Sequence, residues 1–253
     1  MSKAPLLAGS LEGRLAVVTG ATSGIGRATV VALSERGAQV AALGRRVERL
    51  DELKQWPGVT PIEVDVTDAA AMDAVAEVVA GSLGSVDVVV ACAGVLLQGR
   101  FEDADRADWD RMVDVNLRGV LNTVGAFRPA LLRVPGGSEC ADLVIVSSLG
   151  ARVRMRDFSV YQATKAATTA LAEGWRVDLT ARGVRVTNVE PGLVATELLV
   201  HARDEVVRQE MIDLAEEVGA IDARSVAELI CFALEQPAGV NLPHVVIMPT
   251  GQV

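Results

Sequence analysis

The stretch Leu15-Ala16-Val17-Val18-Thr19-Gly20-Ala21-Thr22-Ser23-Gly24-Ile25-Gly26 decides the fold. Its first five residues make a strand with no polar face, and three glycines follow as a helical pattern begins near Gly24 and stops at Gly37. A strand that is apolar on both faces belongs inside a parallel sheet covered by helices. Glycines at its exit let the backbone turn tightly and approach a pyrophosphate. The free N–H groups and positive dipole end of the next helix then face the phosphates.

Working outward, the same alternation runs to the end of the chain. Further strands are predicted at 39–43, 60–64, 86–91, 142–147, 184–190 and 244–248. Helices are predicted at 46–54, 67–83, 107–133 (bent near Pro129), 158–181, 196–218 and 222–235, with breaks at Pro57-Gly58 and Pro135-Gly136-Gly137. Successive β-α units with right-handed crossovers give an α/β class, a doubly wound seven-stranded parallel sheet with helices on both faces. No linker or shift in composition divides it, so residues 1–253 read as one Rossmann-type domain. The expected cofactor-binding part is about 14–150, the catalytic and substrate part about 140–253, and a lid about 193–218.

Composition narrows the function. With 253 residues, 50% of them hydrophobic, the chain has ample material for a core, which excludes disorder. A net charge of −9 argues against nucleic acid, which needs a basic patch. Three scattered cysteines and two distant histidines, His201 and His244, form neither a disulfide framework nor a metal site. The apolar run at the N-terminus is broken by Gly9, Ser10 and Glu12, and no window is long and apolar enough for a membrane span. The expectation is a soluble cytoplasmic protein without membrane partners.

The chemistry concentrates at strand ends. The second strand ends in Leu43-Gly44-Arg45-Arg46. An acidic residue here would bind a ribose 2′-hydroxyl; instead Gly44 leaves room and Arg45 first, or Arg46, can neutralise a 2′-phosphate, which favours NADPH/NADP+ over NAD. Asp65 after the third strand is either an acceptor for the adenine amino group or a turn residue, with Val66 beside it. Tyr161, the chain's one tyrosine, stands four residues before Lys165, one of three lysines. On a helix the two share a face. A nearby ammonium and a nicotinamide cation would favour phenolate, which brings Tyr161 toward the working range of an acid/base catalyst. Ser147 and Ser148 end the fifth strand, where a hydroxyl can hold a carbonyl oxygen. Asn116 lies inside an apolar helix, as a structural tie or part of a water relay. Pro191-Gly192-Leu193-Val194-Ala195-Thr196 leaves the sixth strand at the same edge and could bind a carboxamide.

Taken together, Thr19-Gly20-x-x-x-Gly24-x-Gly26, Asp65, Asn116, Ser148, Tyr161-x-x-x-Lys165 and Pro191-Gly192 resemble the short-chain dehydrogenase/reductase family over essentially the whole chain. The resemblance implies a nicotinamide-dependent oxidoreductase with a catalytic set Asn116, Ser148, Tyr161 and Lys165. Of the two serines, Ser148 has the family's usual spacing to the tyrosine. It further implies cofactor contacts from Gly20, Thr22, Ser23, Gly24, Ile25, Gly26, Arg45, Arg46, Asp65, Val66, Ala93, Gly94, Tyr161, Lys165, Pro191, Gly192, Val194 and Thr196. By this likeness Tyr161 donates a proton to a carbonyl, Ser148 polarises it, Lys165 holds the ribose and Asn116 anchors a water. Ala91-Cys92-Ala93-Gly94 departs from the family's usual Asn-Asn-Ala-Gly, which puts local bracing of the sheet in doubt. A narrower likeness, in 150–156, 160–165 and 247–253, is to secondary-metabolism reductases of the clavulanic acid dehydrogenase type.

The expected activity is NADP(H)-dependent interconversion of an aldehyde or ketone and an alcohol. The alternatives are an epimerase or dehydratase of the same family, or a nucleotide-binding regulatory protein without turnover. Arg152, Arg154 and Arg156 either offer a partner for a substrate carboxylate or form a solvated loop or subunit contact. Family likeness implies a homodimer or homotetramer.

Overall fold

A computed structural model of the chain describes residues 11–133, 140–200 and 205–252, with the backbone alone at 199 and 200. In chain order the elements are β1 (Leu15–Thr19), α1 (Gly24–Glu35), β2 (Gln39–Gly44), α2 (Val47–Asp51), β3 (Val59–Glu63), α3 (Ala69–Ser82), β4 (Val88–Ala91), α4 (Arg106–Val113), α5 (Gly119–Leu131), β5 (Ala141–Val146), α6 (Ser159–Leu179), β6 (Val184–Pro191), β7 (Val194–Ala195), α7 (Glu205–Val218), β8 (Ile221–Asp222), α8 (Ala223–Leu234) and β9 (His244–Ile247). Seven strands form one parallel sheet in the order β3-β2-β1-β4-β5-β6-β9.

The strands are apolar on both faces because both faces are covered. In β1, Ala16 and Val18 pack with Val30 and Leu33 of α1 and Val226 and Ile230 of α8. Leu15 and Val17 join Met72 of α3, Val124 and Phe127 of α5 and Ala172 of α6 on the opposite side. The strand order reverses beside β1, whose neighbours are β2 and β4. The loops leaving β1 and β4 therefore diverge to opposite faces and open a crevice at the carboxyl ends of the strands.

Several sequence expectations need correction. The helix predicted at 107–133 is α4 and α5 joined by a π-helical turn, Asp114–Arg118, with Asn116 at its centre. Pro129 lies only two residues from the end of α5, so the break in regular α geometry comes at the π turn and not at the proline. The helix predicted at 46–54 is five residues of α2 followed by a 3-10 turn, Glu52–Gln55. The segment 196–218 is a 3-10 turn, Glu197–Val200, and then α7; positions 201–204, and His201 with them, lie outside the described residues, as does the turn at 135–137. The pairing of β7 with β8 was not anticipated, since two residues carry no periodic signal.

Candidate active site

The glycine loop is shaped by close contacts. Gly20 adopts φ +71, and a Cβ there would lie 2.9 Å from Ala93 Cα, so the turn after β1 presses on the turn after β4. A Cβ on Gly26 would lie 2.3 Å from the Gly20 carbonyl oxygen, which lets α1 start directly against the loop. A Cβ on Gly44 would lie 2.6 Å from Thr22 Cγ2. These absences of side chains leave bare backbone around the N-terminus of α1, the shape a pyrophosphate requires.

Across the crevice, Cys92 and Ala93 N–H groups both donate to Thr19 Oγ1, at 3.1 and 3.2 Å. This hydroxyl supplies bracing between β1 and β4 that the Ala91-Cys92 departure had placed in doubt. Burial pushes the Cys92 thiol up to about 12, which disfavours the thiolate.

At the mouth, Arg46 donates to Thr22 Oγ1 (3.0 Å), Ser23 Oγ (2.6 Å) and Glu197 (2.9 Å). Arg45 instead pairs with Asp65 at 3.1 Å. Arg46, ranked second from sequence, is the arginine that touches the glycine loop. Asp65 Oδ1 also accepts from Thr67 N–H and Oγ1, and these bonds hold its carboxyl below the usual range. Asp68, next along, caps α3 through the Ala71 N–H.

The deeper end holds Tyr161, Lys165, Ser148 and Asn116, brought together from α6, the end of β5 and the π turn. Tyr161 and Lys165 are both buried, and Lys165 Nζ lies 5.8 Å from the phenol ring centre. Lys165 Nζ donates to the Val146 carbonyl at 3.0 Å. A Cβ on Gly94 would come within 3.6 Å of that ammonium. Desolvation lowers Lys165 to about 8. It also raises Tyr161, against a lesser pull downward from Ser148. In the protein alone burial, set against the Ser148 hydrogen bond, decides the direction for the phenol, and no depression by Lys165 accompanies it. Ser148 Oγ accepts from Gly150 N–H and faces the cleft, while Ser147 Oγ is spent on the Lys165 carbonyl and Thr169. Asn116 bonds its amide to Val95 N–H and C=O and to Thr164 Oγ1. It is a structural tie between α4–α5, the β4 loop and α6.

One cleft takes in the glycine loop, Arg45, Arg46, Asp65, Ala93, Gly94, Ser148, Tyr161 and Lys165, whereas Asn116 lies outside its lining. Ile25, Val66, Pro191, Gly192, Val194 and Thr196 also line it. Thr196 Cγ2 would sit 3.1 Å from a Cβ on Gly24, so the β6 loop meets the glycine loop. Gln252, which sequence did not single out, accepts from Leu193 N–H and packs against Gly192. Glu197 was missed as well. Neither has a local signal, since each reaches the site through tertiary contact.

The sequence profile described as short chain dehydrogenase matches residues 14–206. The chain belongs to the short-chain dehydrogenase family. Among curated relatives, this short-chain dehydrogenase is 36% identical over 253 residues to the glycine betaine reductase ATRR of Emericella nidulans, 97% of this chain but 19% of that longer protein. It is 32% identical to an uncharacterized oxidoreductase of Staphylococcus aureus (strain MW2), covering 94% of this chain and 98% of the relative. Among solved structures it is similar to a closed form of serine dehydrogenase complexed with NADP+ (TM-score 0.87, 28% identity, 94% and 96% covered). It is also similar to an alcohol dehydrogenase from Thermococcus sibiricus complexed with 5-hydroxy-NADP (TM-score 0.82, 28% identity, 95% and 98% covered). The chain is thus an oxidoreductase of this family, and among the described residues no helix is long and apolar enough to cross a membrane.

The three loop arginines are placed away from the cleft. Arg152 donates to buried Glu190 (2.6 Å) and contacts His244, Arg154 bonds backbone carbonyls of its own loop, and Arg156 is exposed. None lines the cleft, so the reading of them as carboxylate ligands gives way to that of a solvated loop or subunit contact.

Proposed function

We propose that the protein interconverts a carbonyl and an alcohol on a small, uncharged, largely apolar metabolite, with NADP(H) as cofactor. One observation carries this reading: Tyr161 and Lys165 lie one turn apart on α6, buried together beside Ser148 and the bare backbone of Gly94. The nicotinamide nucleotide supplies or accepts the hydride when bound. The glycine loop, with Thr22, Ser23, Gly24, Ile25 and Gly26, would hold its phosphates; Arg46, with Arg45, would meet the 2′-phosphate, and Asp65 and Val66 would stand by the adenine. Ala93, Gly94, Pro191, Gly192, Val194 and Thr196 flank the nicotinamide end.

Ser148 Oγ positions the substrate oxygen, and Tyr161 Oη gives it a proton. Burial keeps that phenol protonated at neutral pH, the form a general acid needs. Lys165 holds the ribose hydroxyls and stabilises phenolate as the proton leaves. Leu193, Leu198, Met211 and Leu214 face the substrate end from the lid region, and no Arg, His, Asp or Glu joins them there among the described lining residues. This supports an uncharged substrate over the acidic one considered from sequence. A place in secondary metabolism rests on the segment likeness alone, and a homo-oligomer in the cytoplasm on family membership.

The test is turnover of a panel of neutral aldehydes and ketones with NADPH, alongside fluorescence titration of the nucleotide. Tyr161→Phe should bind NADPH as the parent does and lose about 10²–10⁴-fold in turnover. Full turnover by Tyr161→Phe would overturn the mechanism.

A further inference from the structure

Beyond the cleft lies a second cavity, of about 140 Å³, which shares its Phe158 and Tyr161 wall with the cleft. Phe101, Trp109, Phe158 and Tyr161 line it, four of the eight aromatic side chains in the chain. Beside these rings, and with Asp157 and Ser159 in the same wall, the loop after β4 places Gln98, which is 4% exposed. Neither its Oε1 nor its Nε2 has a hydrogen-bond partner. A buried amide without partners costs its full desolvation, and such groups are rare unless something completes them.

The chemistry of the missing partner follows from the amide itself. Gln98 offers two N–H donors and a carbonyl acceptor. A carboxylate would satisfy only the nitrogen and would enter a cavity that Asp157 also lines. An ammonium would satisfy only the oxygen. No Lys, Arg or His is among the described lining residues. An uncharged group that both donates and accepts, above all a carboxamide, satisfies both ends.

We propose that this cavity is the distal compartment of the substrate site, and that Gln98 is a specificity-determining residue that binds a neutral carboxamide of a substrate whose carbonyl lies at Tyr161. The proposal rests on the carbonyl-reductase reading above and names the substrate class of that same site. Aromatic walls take the carbon skeleton, and Gln98 sets its reach.

The experiment uses methyl ketones with a terminal carboxamide, their branched-hydrocarbon isosteres and their carboxylate analogues, with about one to four methylenes between the ketone and the end group. NADPH oxidation is followed for the parent and for Gln98→Met, with Gln98→Leu as a second variant should methionine fail to pack. The parent should favour at least one amide ketone over its isostere by about ten-fold or more in kcat/KM, because a site built for a polar group rejects the analogue lacking it. Gln98→Met should erase that preference through KM, leave NADPH affinity unchanged and raise the melting temperature of the ligand-free protein, since the unpaired amide is gone.

An unchanged preference in both variants would overturn the proposal. So would a lower melting temperature with all ketones impaired alike, which marks a structural amide, or a parent preference for the carboxylates. Turnover of the isosteres without an amide preference would overturn this inference and leave the proposed function standing. No oxidation of NADPH with any ketone would overturn both.

Discussion

Glu197 reaches across the mouth of the cleft and accepts from both Arg46 and Arg49, which holds its carboxyl below the usual range. Where a 2′-phosphate would need Arg46, a carboxylate of the chain already has it. Glu197→Gln should therefore lower the Kd for NADPH by about three- to ten-fold, the scale of a partly exposed ion pair, and leave NADH nearly unmoved. Equal shifts for the two nucleotides would show that the effect comes through the lid and not the phosphate. Lys165 makes a second residue-level prediction. Burial holds it at about 8 in the folded protein, whereas an unfolded lysine titrates near 10.4. Between these values the unfolded chain binds more protons, so stability rises with pH through that window, and the cost of the buried charge is fully present below it. Urea unfolding free energies measured at about pH 7.5 and pH 9.5 should rise for the parent and stay level in Lys165→Met, a difference of about 2 kcal/mol. The phenol predicts a directional split as well: with Tyr161 raised by burial, reduction should be flat through neutral pH while alcohol oxidation, which needs phenolate, climbs with pH.

Among the helices, the glycines divide by what surrounds them. Gly26 opens α1 with no room for a methyl group against the Gly20 carbonyl, whereas Gly174, in the exposed part of α6, has open space around it. Gly26→Ala should abolish nucleotide binding in a titration. Gly174→Ala should stabilise the protein by about 0.5–1 kcal/mol without touching turnover, because only the helix propensity changes. The π turn between α4 and α5 has a different cause. The Asn116 amide bonds the Val95 backbone in both directions, and Gly119 lies so close to Val66 that a Cβ would stand 2.7 Å from it. An extra residue in the turn is compatible with both contacts and re-aims the helix between them. No local signal in the sequence marks this point, because the contacts that accompany it come from the β4 loop and from Val66.

For the whole molecule, the two ends of the sheet have opposite characters. At the carboxyl ends the strands diverge into the cleft. At the amino ends Arg14 bridges Asp87 (2.7 Å) and Asp142 (2.8 Å), and Arg185 grips Asp142 from the other side at 2.7 Å while donating to backbone carbonyls at 234, 236, 237 and 240. These buried charges link residues at the starts of β1, β4, β5 and β6 and leave no member unpartnered. Asp142→Asn should cost about 3 kcal/mol in urea unfolding, since Arg14 and Arg185 each lose a buried charged partner. A loss under about 1 kcal/mol would mean that water or a rearranged Asp87 replaces the carboxylate. The apolar strands, the glycine loop and the Tyr161–Lys165 spacing were all legible in sequence, because each is local: a short unbroken apolar run, a backbone that tolerates no side chain, one turn of a helix. Which arginine meets the glycine loop, that Arg152 turns to Glu190 and His244, that Thr19 braces the β4 turn, and that Gln98 is left unpaired in an aromatic cavity were decided only by the tertiary structure. Those facts depend on which side chains from distant segments arrive at the same place, and on how strongly burial there desolvates them.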